Sequence, residues 1–384
     1  MRRQKHLLTL LLLAASIFVL WACQDSKVAP AAKTDSLRLS YASLLHISLN
    51  DSFTICDVEN PWQRGALLRR YILVAKDRPL PQHLPEGTLL RTPLERVVAF
   101  TSVHASLLCE LQARSSLCGL CDVSYILNKE LLSDVSCGKL PDMGAAHQPD
   151  VEKIIAARPE ALLVSPFAGV GYGALERTGI PLIECADYME TSPLGRAEWI
   201  RFYGMLVGKD TLAENIFRQV ETEYLHMAEK SKTTAHRPSL LVDNIQSGAW
   251  YVPCGQSTMG IMFRDANAQY LFSYLEGSGS QTLSPETVLK RGRNAQLWLI
   301  KYGAPEDITY QSLAADYPLY RHIKAWQDRR VFGCNVSEIP FFEQTPFHPE
   351  LLLRDICSIV AHTAEDKGTD TSWTDSLRYF KPLK

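Results

Sequence analysis

Asp150-Val151-Glu152-Lys153-Ile154-Ile155-Ala156-Ala157-Arg158-Pro159-Glu160-Ala161-Leu162-Leu163-Val164 has a second copy in Ser284-Pro285-Glu286-Thr287-Val288-Leu289-Lys290-Arg291-Gly292-Arg293-Asn294-Ala295-Gln296-Leu297-Trp298. Laying Glu152 on Glu286 puts Ile154 on Val288, Ile155 on Leu289, Ala161 on Ala295 and Leu163 on Leu297 without a gap. Each copy reads as a helical turn or two opening on an acid, then a breaker, then an apolar strand. The copies lie 134 residues apart. A repeat at that distance predicts two similar α/β lobes, each showing a glutamate at a comparable place.

The N-terminus sets the compartment. Arg2, Arg3 and Lys5 precede an apolar run, Leu7 to Trp21, that closes on Ala22-Cys23. A charged start, a short apolar core and small residues at the cut describe a secretion signal, and the run is shorter than the ~20 residues a membrane-spanning helix requires. Cys23 after Ala22 resembles the lipobox of bacterial lipoproteins, where the cysteine is lipidated and becomes the new N-terminus; Trp21 is bulkier than that motif usually has. Gln24 to Thr34 is polar and Pro/Ala-rich, as a tether should be. The expected product is an exported protein held in the periplasm on a bacterial membrane, inner or outer, by lipid alone.

Removing residues 1–22 takes away three basic residues and leaves 37 basic against 42 acidic, net −5. No Lys/Arg stripe of the kind nucleic-acid binding needs is present. The remaining length suits two lobes. Nine cysteines follow Cys23. They are scattered, several within apolar runs, and read mainly as small buried hydrophobes; Cys118-Gly119-Leu120-Cys121 is an isolated pair that could also form a disulfide.

Residues 37–95 read as a small β extension, with Tyr71-Ile72-Leu73-Val74 its clearest strand. From Arg96 strands and helices alternate: Val97 to Phe100, a helix capped by Thr101-Ser102, Leu117 to Val123, the first repeat unit, and Pro181 to Ile183. That order implies right-handed crossovers and a parallel sheet. Ser192 to Lys232 is nearly breaker-free. Leu212, Ile216, Val220 and Tyr224 recur at four-residue spacing, Gly208 splits the stretch, and Asp210 or Thr211 could cap its second piece. Such a helix is a stiff bridge. A second lobe restarts at Ser239-Leu240-Leu241-Val242 and closes with a helix from Pro346 to about His362. The expected organisation is a leader over 1–22, a tether over 23–36, the β extension over 37–95, an N-terminal lobe over 96–190, a helical connector over 191–232, a C-terminal lobe over 233–362 and a polar, partly ordered tail over 363–384.

The lipobox, Arg96-Val97-Val98-Ala99-Phe100-Thr101-Ser102 with its helix, the Glu152 and Glu286 units, the inter-lobe helix and Phe347-His348-Pro349-Glu350-Leu351-Leu352-Leu353-Arg354-Asp355 together are similar to the substrate-binding proteins of ABC importers for metal chelates. That group includes vitamin B12-, haem- and ferric-siderophore-binding proteins. The N-terminal extension and the stretch Ala186 to Ile200 resemble a lipoprotein subgroup typical of Bacteroides-type bacteria. The resemblance implies two Rossmann-like α/β lobes with parallel sheets joined by one long helix, a chelate held between them, and no resident cofactor. It implies a monomer that docks on a membrane permease dimer with its ATPase, with Glu152 and Glu286 meeting permease arginines; the bland reading of both acids is that each favours its helix N-terminus.

Open α/β sheets bind ligands beyond the carboxyl ends of their strands. Those loops offer Thr101, Ser102, His104, Phe167, Tyr172 and Tyr188 in the first lobe, and Trp250, Tyr251, Tyr302, Phe341 and Phe342 in the second. Aromatics with scattered polar groups suit a large flat ligand. His104, Tyr172 or Tyr188 could ligate a metal centre, although a lone histidine near a helix start is more often simply hydrogen-bonded. Bare zinc or manganese would need converging His, Asp or Glu side chains, and the histidines are dispersed. Lys301 and Arg264 are the only cleft cations in view, which tilts the reading toward a corrinoid or porphyrin. No Gly-x-Ser-x-Gly elbow, His-Glu-x-x-His motif or phosphate loop is present, so a binding protein is expected, not an enzyme. A surface lipoprotein serving an outer-membrane receptor and an exported lyase or chelatase are the rivals.

Overall fold

The computed structural model describes residues 35–233, 236–365 and 372–384. The leader and the lipidation candidate Cys23 lie outside these residues.

The chain opens with a five-stranded sheet, β1 (Asp35–Leu37), β2 (Leu45–Leu49), β3 (Thr54–Glu59), β4 (Leu67–Ala75) and β5 (Thr88–Thr92), in that spatial order. The first four strands form an antiparallel meander, and β5 returns parallel to β4. Two groups of buried hydrogen bonds are among the contacts that fasten this sheet to the rest of the protein. Tyr71, buried on β4, accepts from Glu184 N at 2.7 Å and donates to Leu182 O at 3.2 Å. The loop Ser40–Leu44 hands successive backbone N–H groups to two buried carboxylates. Glu198 accepts from residues 40, 41 and 42 at 2.8–2.9 Å, and Glu190 from residues 43 and 44 at 2.8–3.0 Å. A side chain at Gly195 would bring its Cβ within 2.7 Å of Tyr41 O, so the close approach of this loop requires glycine there.

The first lobe contains β6 (Val97–Ala99), α1 (Ser102–Glu110), β7 (Leu117–Leu120), α2 (Val151–Ala156), β8 (Ala161–Val164) and β9 (Leu182–Glu184). Its sheet is parallel in the order β9-β8-β6-β7. Three helices follow. Ser192 accepts from Gly195 N to cap α3 (Pro193–Glu198), and α4 (Ile200–Val207) stops at Gly208, which takes the left-handed φ of 66°. The connector then runs through α5 (Asp210–Ser231), whose 22 residues span about 33 Å. Its N-cap is Lys209, without a side-chain bond, so neither Asp210 nor Thr211 caps it as expected. The deeply buried stripe is Ala213, Phe217, Val220 and Tyr224, which moves the first half of the expected face by one residue.

The second lobe contains β10 (Ser239–Val242), β11 (Ala249–Pro253), α6 (Thr258–Asp265), β12 (Gln269–Tyr270), β13 (Ser280–Leu283), α7 (Pro285–Gly292), β14 (Leu297–Tyr302), β15 (Val331–Asn335), α8 (Phe341–Gln344), α9 (Pro349–Glu365) and β16 (Lys381–Pro382). Its main sheet has the order β12-β10-β14-β15-β16, with only β16 antiparallel. A small antiparallel sheet, Ile245–Gln246 with β11 and β13, lies beside it. α9 meets α5 through Arg354 and Glu223 (2.6 Å), and Tyr224 on α5 donates to Asp265 at 2.8 Å, so the connector is braced on the second lobe.

The repeat is reproduced in three dimensions. Asp150 caps α2 and Ser284 caps α7. The aligned pairs Ile154 and Val288, Ala161 and Ala295, and Leu163 and Leu297 are all buried. In each lobe the strand of the unit pairs in parallel with the lobe's first strand, β8 with β6 and β14 with β10.

Within the polar, partly ordered tail expected over 363–384, residues 372–384 carry β16 against β15, and Tyr379 and Phe380 are buried. Asp355 holds this segment by accepting from the backbone N–H groups of Arg378, Tyr379 and Phe380 at 2.6–3.2 Å. Cys118 and Cys121 are both free thiols, in line with the main reading of the cysteines and not with the alternative of a disulfide between them.

Candidate functional site

Each lobe carries a cavity at the carboxyl end of its sheet. The first, about 650 Å³, is framed by residues that follow β6, β7 and β8, among them Phe100, Thr101, Asp122, Ser165, Phe167 and Tyr172. The second, about 520 Å³, is framed by Asp243 and Asn244 after β10, Lys301 and Tyr302 at the end of β14, Tyr251 on β11, and Phe342. Contacts between the lobes run beside them. Thr258, which lines the second cavity, donates to Glu190 O at 3.1 Å, and Glu343 accepts from Leu127 N at 2.8 Å.

Of the residues expected to meet a ligand, the structure brings Thr101, Phe167 and Tyr172 to the first cavity and Tyr251, Tyr302 and Phe342 to the second. Phe167, Tyr251 and Phe342 are exposed. Tyr188 stands one layer back, its ring 6.0 Å from Phe167 and its hydroxyl bonded to Pro166 O. Ser102 occupies the first turn of α1 and does not line the cavity.

Trp250 is a correction. It has no exposed surface, donates to Val242 O at 2.9 Å, and packs on Trp298 and Tyr320 with centroids 6.1 and 5.8 Å away. Its glycine-flanked position reads as a loop, but β11 pairs with β13 and turns the indole inward while Tyr251 turns outward. Phe341 is corrected in the same way. It is buried against Tyr379, and its neighbour Phe342 takes the exposed side.

His104 is a third correction. Its Nδ1 lies 2.7 Å from Thr101 Oγ1, and its Nε2 lies 2.9 Å from Asp187 Oδ1 and 3.1 Å from the Tyr203 hydroxyl. Arg196 and Tyr203 donate to the same Asp187 at 3.2 and 2.8 Å. Both ring nitrogens are therefore engaged inside the protein, and no lone pair is left to face a metal in the cavity. Burial opposes charging the ring, but Cys185 and Asp187 outweigh it and shift its pKa upward. Thr101 thus sits at the end of a buried chain of hydrogen bonds that fixes its side chain at the cavity wall. Tyr172 keeps its proton more tightly than a free phenol, first through burial and then through the neighbouring Glu184. Its shielded hydroxyl has no hydrogen-bond partner among the described residues.

Asp122, Asp243 and Asn244 line the cavities without having been singled out in the sequence. The signal was available, since Asp243 directly follows β10 and Asp122 follows the end of β7, where open sheets bind. Lys301 is in the cavity but tied to Asp243, its Nζ 2.7 and 2.9 Å from the two carboxylate oxygens. Arg264 is exposed, paired with Asp265, and lines neither cavity. Among the described residues, no three His, Cys, Asp or Glu side chains converge as a metal-ligand set.

Glu152 and Glu286 are both exposed in the first turns of α2 and α7, and neither has an ion-pair partner among the described residues. Val151, beside Glu152, lines the first cavity, and Ser280, at the start of the strand leading to Glu286, lines the second.

Two lobes with parallel sheets, a helical connector and a cavity at the carboxyl end of each sheet define a two-lobed binding protein. Residues 97–336 match the Periplasmic binding protein family, and the chain belongs to it. It is 28% identical over 324 residues to an uncharacterized lipoprotein of Methanocaldococcus jannaschii, covering 79% of this chain and 75% of that one. Among solved structures it is similar in fold to a periplasmic haem-binding protein of Pseudomonas aeruginosa, with TM-score 0.54, 16% identity, and coverage of 70% of this chain and 93% of that one. The periplasmic vitamin B12-binding protein of Vibrio cholerae gives TM-score 0.52 at 12% identity, covering 72% of this chain and 99% of that one. A periplasmic binding protein of Veillonella parvula gives TM-score 0.54 at 13% identity, with 82% and 92% covered.

Proposed function

We propose that this protein captures a metal chelate (a corrinoid, haem or ferric siderophore) between its lobes and delivers it to an ABC permease, while held to a membrane by lipid on Cys23. The observation that carries this reading is the pair of cavities at the carboxyl ends of the two sheets, walled by Phe100, Phe167 and Tyr172 on one side and Tyr251, Tyr302 and Phe342 on the other. Aromatic walls with a few polar groups suit a large, partly flat molecule. The lack of a converging set of metal-ligating side chains among the described residues favours a metal that arrives with its own chelator. Belonging to the Periplasmic binding protein family supports the carrier role.

Glu152 and Glu286 are the proposed docking points. An exposed acid on each lobe gives a two-point electrostatic handle that orients the carrier on a basic partner and speeds their encounter. The test is uptake of labelled chelate by cells lacking the chromosomal copy and supplied with the wild type or with Glu152→Ala plus Glu286→Ala. The double variant is expected to bind chelate with unchanged affinity yet restore uptake about tenfold less well. Full uptake by the double variant would remove the docking role.

A further inference from the structure

Resting on the chelate-binding reading, we propose that the cleft selects a chelate without net negative charge that presents amide N–H groups to the second lobe. The charged residues lining the two cavities are few: Asp122 and His147 in the first, Asp243 and Lys301 in the second. The cation is committed, because Lys301 Nζ bonds both oxygens of Asp243. The Asp122 carboxylate accepts from Ala146 N at 3.0 Å and has no ion-pair partner among the described residues. The two carboxylates of the lining, Asp122 and Asp243, against the one lysine, Lys301, therefore sum to one negative charge.

A buried charge is tolerated when it is paired, and removing one partner of a pair leaves the other uncompensated. A chelate with free carboxylates or a tris-catecholate core would place several anionic oxygens against this lining. To neutralise even one of them, Lys301 would have to leave Asp243, stranding that carboxylate. A neutral or cationic chelate meets no such penalty, and Asp122 favours it.

The second cavity also states what it needs. Asn244 Oδ1 is shielded from solvent and accepts no hydrogen bond from the protein. The cavity it lines also offers neutral hydroxyls and an amide, including Gln246, Ser278 and Ser280. An acceptor held without a donor is matched by a ligand N–H. Primary or secondary amides on the rim of a chelate supply that group together with a carbonyl for the hydroxyls. The first cavity, walled by Phe100, Val164, Phe167 and Leu175, takes the apolar face of the same molecule.

The mature chain would be titrated calorimetrically with dicyanocobinamide, cyanocobalamin, ferrioxamine B, haemin and ferric enterobactin. The first three carry amides and no net negative charge; the last two bring carboxylates or a catecholate core. At least one of the first three is expected to bind about 100-fold more tightly than either of the last two, a difference of two decades in Kd. Asn244→Leu should weaken that ligand about tenfold while leaving the melting temperature unchanged, since Oδ1 makes no internal bond. Asp122→Asn should narrow the gap between the two groups. Tighter binding of haemin or ferric enterobactin would overturn the charge selection and leave the chelate reading in place. Binding of none of the five would overturn both.

Discussion

Replacing Glu198 with alanine is expected to cost about 3–5 kcal/mol, the range for breaking a buried charged pair by removing one partner. Glu198 is fully buried on α3. It accepts from the backbone N–H groups of Ser40, Tyr41 and Ala42 and from Arg201 Nη1. The substitution leaves three main-chain donors without their acceptor, and Arg201 keeps only Glu214 as a carboxylate partner. Replacing the carboxylate with water is hindered by packing, since Tyr41 lies on Phe217 and Gly195 leaves no room beneath the loop. The loss should concentrate on the N-terminal sheet. Hydrogen exchange would show faster exchange at residues 40–44 and along β2 and β3, with β14 and β15 little changed. Glu198→Gln should recover part of the loss, because its carbonyl still accepts while its amide opposes the same donors. Unchanged protection at residues 40–44 would mean that other contacts hold the extension.

Raising the pH should weaken the protein through His348. Its Nε2 lies 2.6 Å from Glu110 at the end of α1, and its Nδ1 lies 2.9 Å from Glu350 at the start of α9, so the ring clasps the first lobe to the closing helix. Burial alone would lower its pKa; the hydrogen bonds and charges of Glu110 and Glu350 outweigh burial and hold it at about 10. A folded-state pKa above the unfolded one means that the folded protein keeps a proton the unfolded chain gives up. The stabilisation is complete below the unfolded pKa of about 6.5 and is lost as pH rises through about 10. Across that window one such proton contributes a slope of about 1.4 kcal/mol per pH unit. Denaturant unfolding of the wild type and His348→Gln at pH 7, 8 and 9 should show a stability difference of about 2–4 kcal/mol that shrinks with pH. A difference independent of pH would show that His348 is neutral in the folded protein and acts by packing alone.

The parts of this fold that were legible are those written in local sequence. The Glu152 and Glu286 units each contain their cap, their helix and their strand within fifteen residues, and three of the four aligned apolar pairs are buried alike, Ile155 being exposed where Leu289 is half-buried. Gly208 stops a helix for the same local reason, the left-handed φ that glycine accepts freely. What was misread depends on partners far along the chain. Trp250 looks like a loop aromatic beside Gly248, but its indole N–H bonds Val242 O and its strand pairs with residues 280–283. His104 looks like a candidate ligand until Asp187, 83 residues away, occupies its second nitrogen. Tyr379 and Phe380 lie in a polar segment that is held by the buried Asp355 and by the pairing of β16 with β15. In the cleft, α8 turns Phe342 outward and Phe341 inward, although the sequence offered both to the ligand. Lys301 shows the same limit for charge: a lysine at a strand end reads as a free cation until Asp243 is found beside it.

A single chelate held by both lobes is tested directly by calorimetric binding of whichever chelate the wild type holds most tightly. Phe167→Ala removes an exposed aromatic from the first cavity and Tyr251→Ala one from the second. Each is expected to raise Kd about tenfold, the effect of truncating an aromatic contact, and the double variant about 100-fold, because well-separated residues act additively. If either single variant bound with unchanged Kd while the other lost affinity, the ligand would belong to one lobe, and a site between the lobes would be contradicted.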